Sequence, residues 1–182
     1  QTAFPPDLPT IQHVVINTMI QKDLASKRGI SSSVIYNVFD FDTKTDASAE
    51  AHKRVRADLG FSEEDILILQ PTRVVQRKGI ETAIELTRRL DDPRCKLVIS
   101  HATGDEGDSY ARRVRSYAEL MGVDILFADK WISEDQGFDS GVSRRYSAWD
   151  AYRSADFVTY PSTYEGFGNA FLETLYFRKP IL

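Results

Sequence analysis

Strand-length apolar runs alternate with amphipathic segments over most of this chain, and that alternation constrains the fold more than any other feature. Ile66-Leu67-Ile68-Leu69, Lys96 to Ser100, Ile125-Leu126-Phe127 and Phe157-Val158-Thr159-Tyr160 are the runs. Between and after them, apolar residues recur at helical spacing. Ala47, Ala51, Val55 and Leu59 mark one helix face and Ile80, Ala83, Ile84 and Leu90 a second. Tyr110, Val114, Tyr117 and Met121 mark a third, and Phe171, Leu172 and Leu175 the inward side of a helix over Gly168 to Phe177. Gly60 and Gly122 close two of these helices. Strands apolar on both sides, separated by amphipathic helices, predict an α/β fold: a Rossmann-like parallel sheet with helices on both faces. In such open sheets ligands bind beyond the carboxyl ends of the strands, so the segments just after each strand are the ones to search.

The remaining chain is less regular. The 182 residues suit one α/β domain with extra chain at one end. Gln1 to Thr10 is proline-rich and reads as irregular. Ile11 to Ile16 contains Val14-Val15-Ile16, the signature of a buried strand, and Asn17 or Thr18 can cap a helix running to about Arg28, stopped by Gly29. Ser33 to Tyr36 reads as a further strand, Asn37 to Asp46 as a linker, Lys130 to Arg144 as a loop and Tyr146 to Ser154 as a helix. Lys179-Pro180-Ile181-Leu182 reads as the start of a buried strand, an expectation that goes with a piece of a longer protein.

Apolar residues at 42% supply a core and charged residues at 27% a solvated surface. The formal charge of −4 does not suggest a nucleic-acid binder. Cys95 is the single cysteine, so no internal disulfide forms; it reads as a partly buried structural thiol. A reducing cytoplasm fits one cysteine without following from it, and a peripheral membrane contact stays open. No apolar run reaches membrane-spanning length, and no basic region followed by an apolar stretch marks a signal peptide at the N-terminus.

Two post-strand segments carry chemistry. After Leu69 comes Gln70-Pro71-Thr72-Arg73-Val74-Val75-Gln76-Arg77-Lys78-Gly79, with three cations within six residues ahead of a helix start. Helix N-termini favour anions, so Arg73 as a fork and Lys78 as a point charge could clamp a diphosphate. An ordinary solvated basic turn is the alternative. After Tyr160 comes Pro161-Ser162-Thr163-Tyr164-Glu165-Gly166-Phe167-Gly168-Asn169-Ala170. Its glycines let backbone approach a ligand closely. Carboxylates can accept from vicinal sugar hydroxyls, so Glu165 could hold a hexose and Glu173 a ribose. For Glu173 a solvated helix position is the alternative, since Leu172 and Leu175 beside it are core-like. His101 lies on the same edge, where a structural hydrogen bond outweighs a ligand contact. Trp131 and Ile132 could pack on a nucleobase or in the core. His13 and His52 read as structural or exposed, and Asp105, Glu106 and Asp108 as a solvated acidic run. No cluster has metal-ligand spacing.

With these residues in view, the chain resembles the retaining glycosyltransferases of the large family 4, whose GT-B fold pairs two facing Rossmann-like domains. The resemblance rests on Glu165-x7-Glu173 within Pro-Ser-x-x-Glu-Gly-Phe-Gly and on Arg73-x4-Lys78-Gly79, in the family's order and at about its separation. It implies that residues 1–36 are a remnant of the N-terminal acceptor domain, 37–46 the interdomain linker and 47–182 a C-terminally truncated donor domain. It also implies roles. Arg73 and Lys78 would stabilise the leaving diphosphate, Glu165 would position the donor sugar, the amides of Gly166, Phe167, Gly168, Asn169 and Ala170 would hold sugar and phosphate oxygens, and Glu173 would bind the ribose. Two departures, Thr72 where the family often has Gly and Phe177-Arg178-Lys179 before Pro180, leave the subfamily open.

The expected activity is therefore transfer of a hexosyl group, with retained anomeric configuration, from a nucleoside-diphosphate sugar (UDP-, GDP- or ADP-linked) to a hydroxyl of a carbohydrate, lipid or small-molecule acceptor. No bound cofactor or metal is expected. This chain would carry the donor half and be inactive without the missing acceptor domain, since catalysis needs both faces of the cleft. A non-catalytic nucleotide-sugar-binding module and a GT-B-fold epimerase or phosphorylase are the competing readings.

Overall fold

The computed structural model describes residues 6–42, 49–101, 108–133 and 146–182. The chain divides into two compact units: Gln1–Asp40 with Glu165–Asn169, and Phe41–Tyr164 with Ala170–Leu182.

In the first unit, β1 (His13–Val15) and β2 (Ser32–Val34) pair in parallel, joined by α1 (Thr18–Arg28). The helix begins at Asn17, whose extended backbone and side-chain oxygen cap the Ile20 amide at 2.7 Å, and ends at Gly29 with φ 69°. The expected strands are present but shorter and less buried than their composition suggests. Val15 is buried, whereas Val14, Ile35 and Tyr36 are exposed, because two strands cannot cover each other's faces. Residues 37–42 form neither helix nor strand, and the rest of the expected linker lies outside the described residues.

The second unit follows the alternating pattern. A four-stranded parallel sheet has the order β5 (Ile125–Phe127), β4 (Cys95–Ile99), β3 (Ile66–Gln70), β8 (Phe157–Val158). Its β3 strand sends Leu67 and Leu69 to one face and Ile68 to the other, each at most 1% exposed. On the first face Leu67 and Leu69 pack with Val55 and Leu59, from or next to α2 (Ala49–Asp58), and with Ala151 and Tyr152 of α5 (Ala148–Ser154). On the second, Ile68 packs with Ile80, Ala83 and Ile84 of α3 (Ile80–Leu90) and with Tyr110 and Val114 of α4 (Asp108–Met121). Burial on both sides is what gives these strands their near-continuous apolar sequences. Cys95 is buried, and that burial pushes its thiol pKa up, as suits a structural thiol.

Several local expectations need correction. Leu90 is exposed, and Thr87 takes the buried position because its hydroxyl bonds back to the Ala83 carbonyl at 2.9 Å. Ile132–Ser133 is not loop but β6, paired in parallel with β7 (Tyr146–Ser147), so α5 starts two residues later than its apolar pattern implies. Ser147 and Asp150 form a reciprocal capping box there. In α6 (Asn169–Tyr176) the buried residue is Thr174, while Phe171 and Leu175 are exposed. The chain end reaches β8 through a Val158–Ile181 bridge, yet Ile181 and Leu182 remain exposed. Ala47 and the side chain of Ala51 lie outside the described residues. No described helix is long and apolar enough to cross a membrane.

Arg56 of α2 ties the amino-terminal edge of the sheet together. It donates to the Ser154 carbonyl and to Asp156, each at 3.0 Å, and to the Asp65 carbonyl. Asp156 in turn accepts from the Leu67 amide at 2.8 Å. Nearby, burial and the cations Arg153 and Lys179, opposed by Asp150, push the pKa of His52 below its usual value. The unfolded chain therefore binds a proton at this residue more readily than the folded one. Its contribution to stability is full above about pH 6.5 and is lost as pH falls through the depressed folded value. Thermal melts should show a lower midpoint at pH 5 than at pH 7.5, and His52→Gln should shrink that difference; an unchanged difference would contradict the assignment.

Candidate functional site

The sheet order places a switch point between β3 and β8. The chain runs from β3 outward to β4 and β5, then returns to β8 on the opposite side of β3. Loops leaving neighbouring strands in opposite directions open a crevice at their carboxyl ends, which is where open α/β sheets hold ligands. The two loops that carry chemistry in the sequence, after β3 and after β8, are the two at this point.

The β3 loop is shaped by its buried residues. Gln70 ends the strand with no exposure, and its amide donates to the Thr72 hydroxyl at 3.2 Å and to the Lys78 carbonyl at 2.9 Å. Thr72, which stands where the family often has glycine, is thus a buried acceptor. Val74 and Val75 turn into the core, leaving Arg73 exposed and Lys78 half-buried at the rim. A short 3-10 turn over Gln76–Lys78 and Gly79 at φ 63° then lead into α3. The cations and the first amides of α3 come from one short segment, a combination suited to a phosphate.

The β8 loop is held directly against it. A Cβ on Gly79 would overlap the Pro161 carbonyl oxygen. Thr163 donates to the Arg77 carbonyl through its amide at 2.9 Å and its hydroxyl at 3.2 Å. The Arg77 guanidinium returns a bond to the Tyr164 carbonyl at 3.1 Å. In the sequence Arg77 is one of three cations with no role of its own. The structure makes it the tie between the two loops, and only its place in the basic run hints at this.

Glu173 is half-buried on α6, with its carboxylate beside the Tyr152 hydroxyl. Burial, then that carboxylate, push the Tyr152 phenol pKa up, so the phenol stays a neutral donor. Tyr152 also donates to the Ala170 carbonyl at 3.1 Å, which Thr174 reaches at 2.6 Å. The orientation that periodicity leaves open is therefore settled: Glu173 faces Tyr152 rather than open solvent.

Glu165, Gly166, Phe167, Gly168 and Asn169 belong by packing to the first unit. There the Gly166 carbonyl accepts from the Asn17 amide, the Phe167 ring lies 6.4 Å from Tyr36, and Asn37 donates to Asn169 at 3.2 Å. The two glycines differ in kind. Gly168, at φ 96°, needs the missing side chain for its backbone conformation, whereas a Cβ on Gly166 would make an ordinary 3.4 Å contact with Ile16. Glu165 itself is half-buried.

The lesser candidates resolve toward structure. His101 shares a 2.7 Å hydrogen bond with the Ser100 hydroxyl, and Trp131 packs against the core beside Ile132. Asp108 opens α4, while Asp105 and Glu106 lie outside the described residues. Among the described residues no group of three or more His, Cys, Asp or Glu could hold a metal.

The architecture is that of the GT-B glycosyltransferases. A crystal structure of Anabaena Alr3699/HepE with UDP and glucose matches with a TM-score of 0.70 at 18% identity, over 93% of this chain and 43% of that one. The lipopolysaccharide glycosyltransferase WaaG matches with a TM-score of 0.65 at 15% identity, over 92% and 42%. At the level of sequence, residues 52–182 match the family Glycosyl transferases group 1, and the chain belongs to that family. Mannosylglucosylglycerate synthase of Thermotoga maritima is 33% identical over 98% of this chain and 43% of its own length. The Petrotoga mobilis protein of the same name is 35% identical over 98% and 44%. The chain thus spans less than half the length of the curated relatives it matches.

The contact between Gly79 and Pro161 generates a stability prediction. Gly79→Ala adds left-handed strain and overlap at the loop contact, and urea unfolding should register a loss of about 2–5 kcal/mol. Arg77→Met removes the tie to Tyr164 and should cost about 1 kcal/mol or more. Equal stability of wild type and Gly79→Ala would contradict the close approach.

Proposed function

We propose that this chain is the donor-binding half of a retaining glycosyltransferase that moves a hexosyl group from a nucleoside-diphosphate sugar to an acceptor hydroxyl. The observation that carries this reading is the loop from Arg73 to Gly79, which sets Arg73 and Lys78 ahead of the α3 N-terminus at the sheet's switch point. Negative charge grows on the diphosphate as the bond to the sugar breaks. A guanidinium, an ammonium and helix amides stabilise that charge more in the transition state than in the bound donor. Glu165 positions the sugar, the amides of Gly166 to Ala170 hold sugar and phosphate oxygens, and Glu173 binds the ribose. Tyr152 keeps the Glu173 carboxylate oriented.

In this reading residues 1–36 come from the acceptor domain, 37–46 link the domains and 47–182 form the donor domain. The boundary between Asp40 and Phe41 supports that division, with Glu165–Asn169 of the donor domain packing in the first unit. Crystal structures of Anabaena HepE with UDP and glucose and with UDP-glucose support a nucleotide-sugar donor. The names of the curated relatives make a mannosylglucosylglycerate-forming transfer the first reaction to assay in the complete protein.

Titration calorimetry of this chain with UDP, GDP and ADP tests the donor assignment. One diphosphate should bind, and Arg73→Ala and Lys78→Ala should each weaken it by about 1.5–3 kcal/mol, the range for a lost hydrogen bond to a charged group. Binding of none of the three, or binding that both variants leave intact, would contradict the proposal.

A further inference from the structure

Asn17 does two things with one side chain. Its Oδ1 accepts from the Ile20 amide at 2.7 Å and caps α1, while its Nδ2 donates to the Gly166 carbonyl. The first bond determines the second. With the oxygen committed to the helix start, the amide nitrogen is the group left facing the glycine loop. Both partners lie in the first unit, 149 residues apart in sequence. Capping alone does not call for asparagine, since serine and aspartate cap equally well. Only asparagine among these carries a donor that can reach a carbonyl while its oxygen caps.

The Gly166 carbonyl sits at the start of the Glu165–Gly168 run. Gly166 brings no side chain, Gly168 takes a left-handed conformation, and Phe167 contributes a tilted ring contact with Tyr36 at 6.4 Å. We infer that Asn17 is a positioning residue: by holding the Gly166 carbonyl it orients the peptide between Glu165 and Gly168, and with it the groups that grip the donor sugar. This inference rests on the donor-binding reading above. It assigns sugar-specific binding in part to a helix cap far upstream of the loop.

Aspartate at position 17 separates the two roles. Asn17→Asp keeps the helix cap and replaces the donor by a second oxygen, which repels the Gly166 carbonyl. Asn17→Ser keeps the cap and leaves that carbonyl without its donor. The chain is titrated with UDP-glucose, GDP-mannose and ADP-glucose and with the matching diphosphates. Helicity is followed by circular dichroism and loop protection by hydrogen exchange. In both variants the nucleotide sugar that binds wild type should weaken about tenfold, while its diphosphate, which loses loop amides but keeps Arg73, Lys78 and the α3 amides, should weaken about threefold or less. Helicity should hold, and the Phe167 and Gly168 amides should exchange faster. Unchanged sugar-nucleotide binding in both variants would overturn the inference and leave the donor reading standing. Equal loss of both ligands, or loss of the fold in both variants, would make Asn17 a structural cap and overturn it as well. If wild type binds none of the three nucleotide sugars, the donor reading itself fails, and the inference falls with it.

Discussion

The close approach of Gly79 to Pro161 is the constraint on which the rest of the site depends. Parallel pairing brings β3 and β8 side by side, yet pairing alone leaves the loops beyond them free to splay. Removing the side chain at position 79 lets the β8 loop lie on the turn that opens α3. Arg77 and Thr163 then lock that arrangement with three hydrogen bonds. The result is a short backbone segment with cations and helix amides held against Pro161 to Tyr164. Under the proposed function, charges carried on such a segment would need little reorganisation as the charge on a diphosphate develops.

The two edges of the sheet divide the work. At the amino-terminal edge, Arg56, Asp156, Asp65 and Ser154 form a tie among α2, the strand starts and the end of α5. Those groups are mutually satisfied, so they fix structure. At the carboxyl edge the buried polar groups point toward loops instead: Gln70 shapes the β3 loop from below, and Tyr152 meets both Glu173 and the Ala170 carbonyl. A sheet stabilised at one edge can carry glycine-rich, irregular backbone at the other. Local satisfaction also explains why Thr87 and Thr174 can occupy buried helix positions, since each hydroxyl is satisfied by the carbonyl four residues earlier.

Much of this is legible in the sequence, and for physical reasons. Strands buried on both faces leave continuous apolar runs, so β3, β4, β5 and β8 are visible, as are the helix stops at Gly29, Gly60 and Gly122. The rule that ligands bind at strand carboxyl ends selects Arg73, Lys78 and the run from Glu165 as candidates, and the sheet order puts the loops that carry them after adjacent strands. What escapes is whatever depends on contacts distant in sequence. β6 and β7 are two residues each and have no periodicity to detect. Thr174 is buried in place of Phe171 and Leu175, with its hydroxyl hydrogen-bonded to Tyr152 of α5, a contact that no helical pattern encodes. Arg77, Gly79 and Asn17 acquire their roles only through partners far along the chain, at Tyr164, Pro161 and Gly166.

The most direct test of the central claim is to map a bound nucleotide sugar onto the backbone by NMR, using amide shifts of the isotopically labelled chain titrated with the donor that binds. The largest shifts should fall on Val74 to Gly79 and on Gly166 to Ala170, with the amino-terminal edge around Arg56 and Leu67 unmoved. Shifts centred elsewhere, with both of those segments silent at saturation, would contradict it.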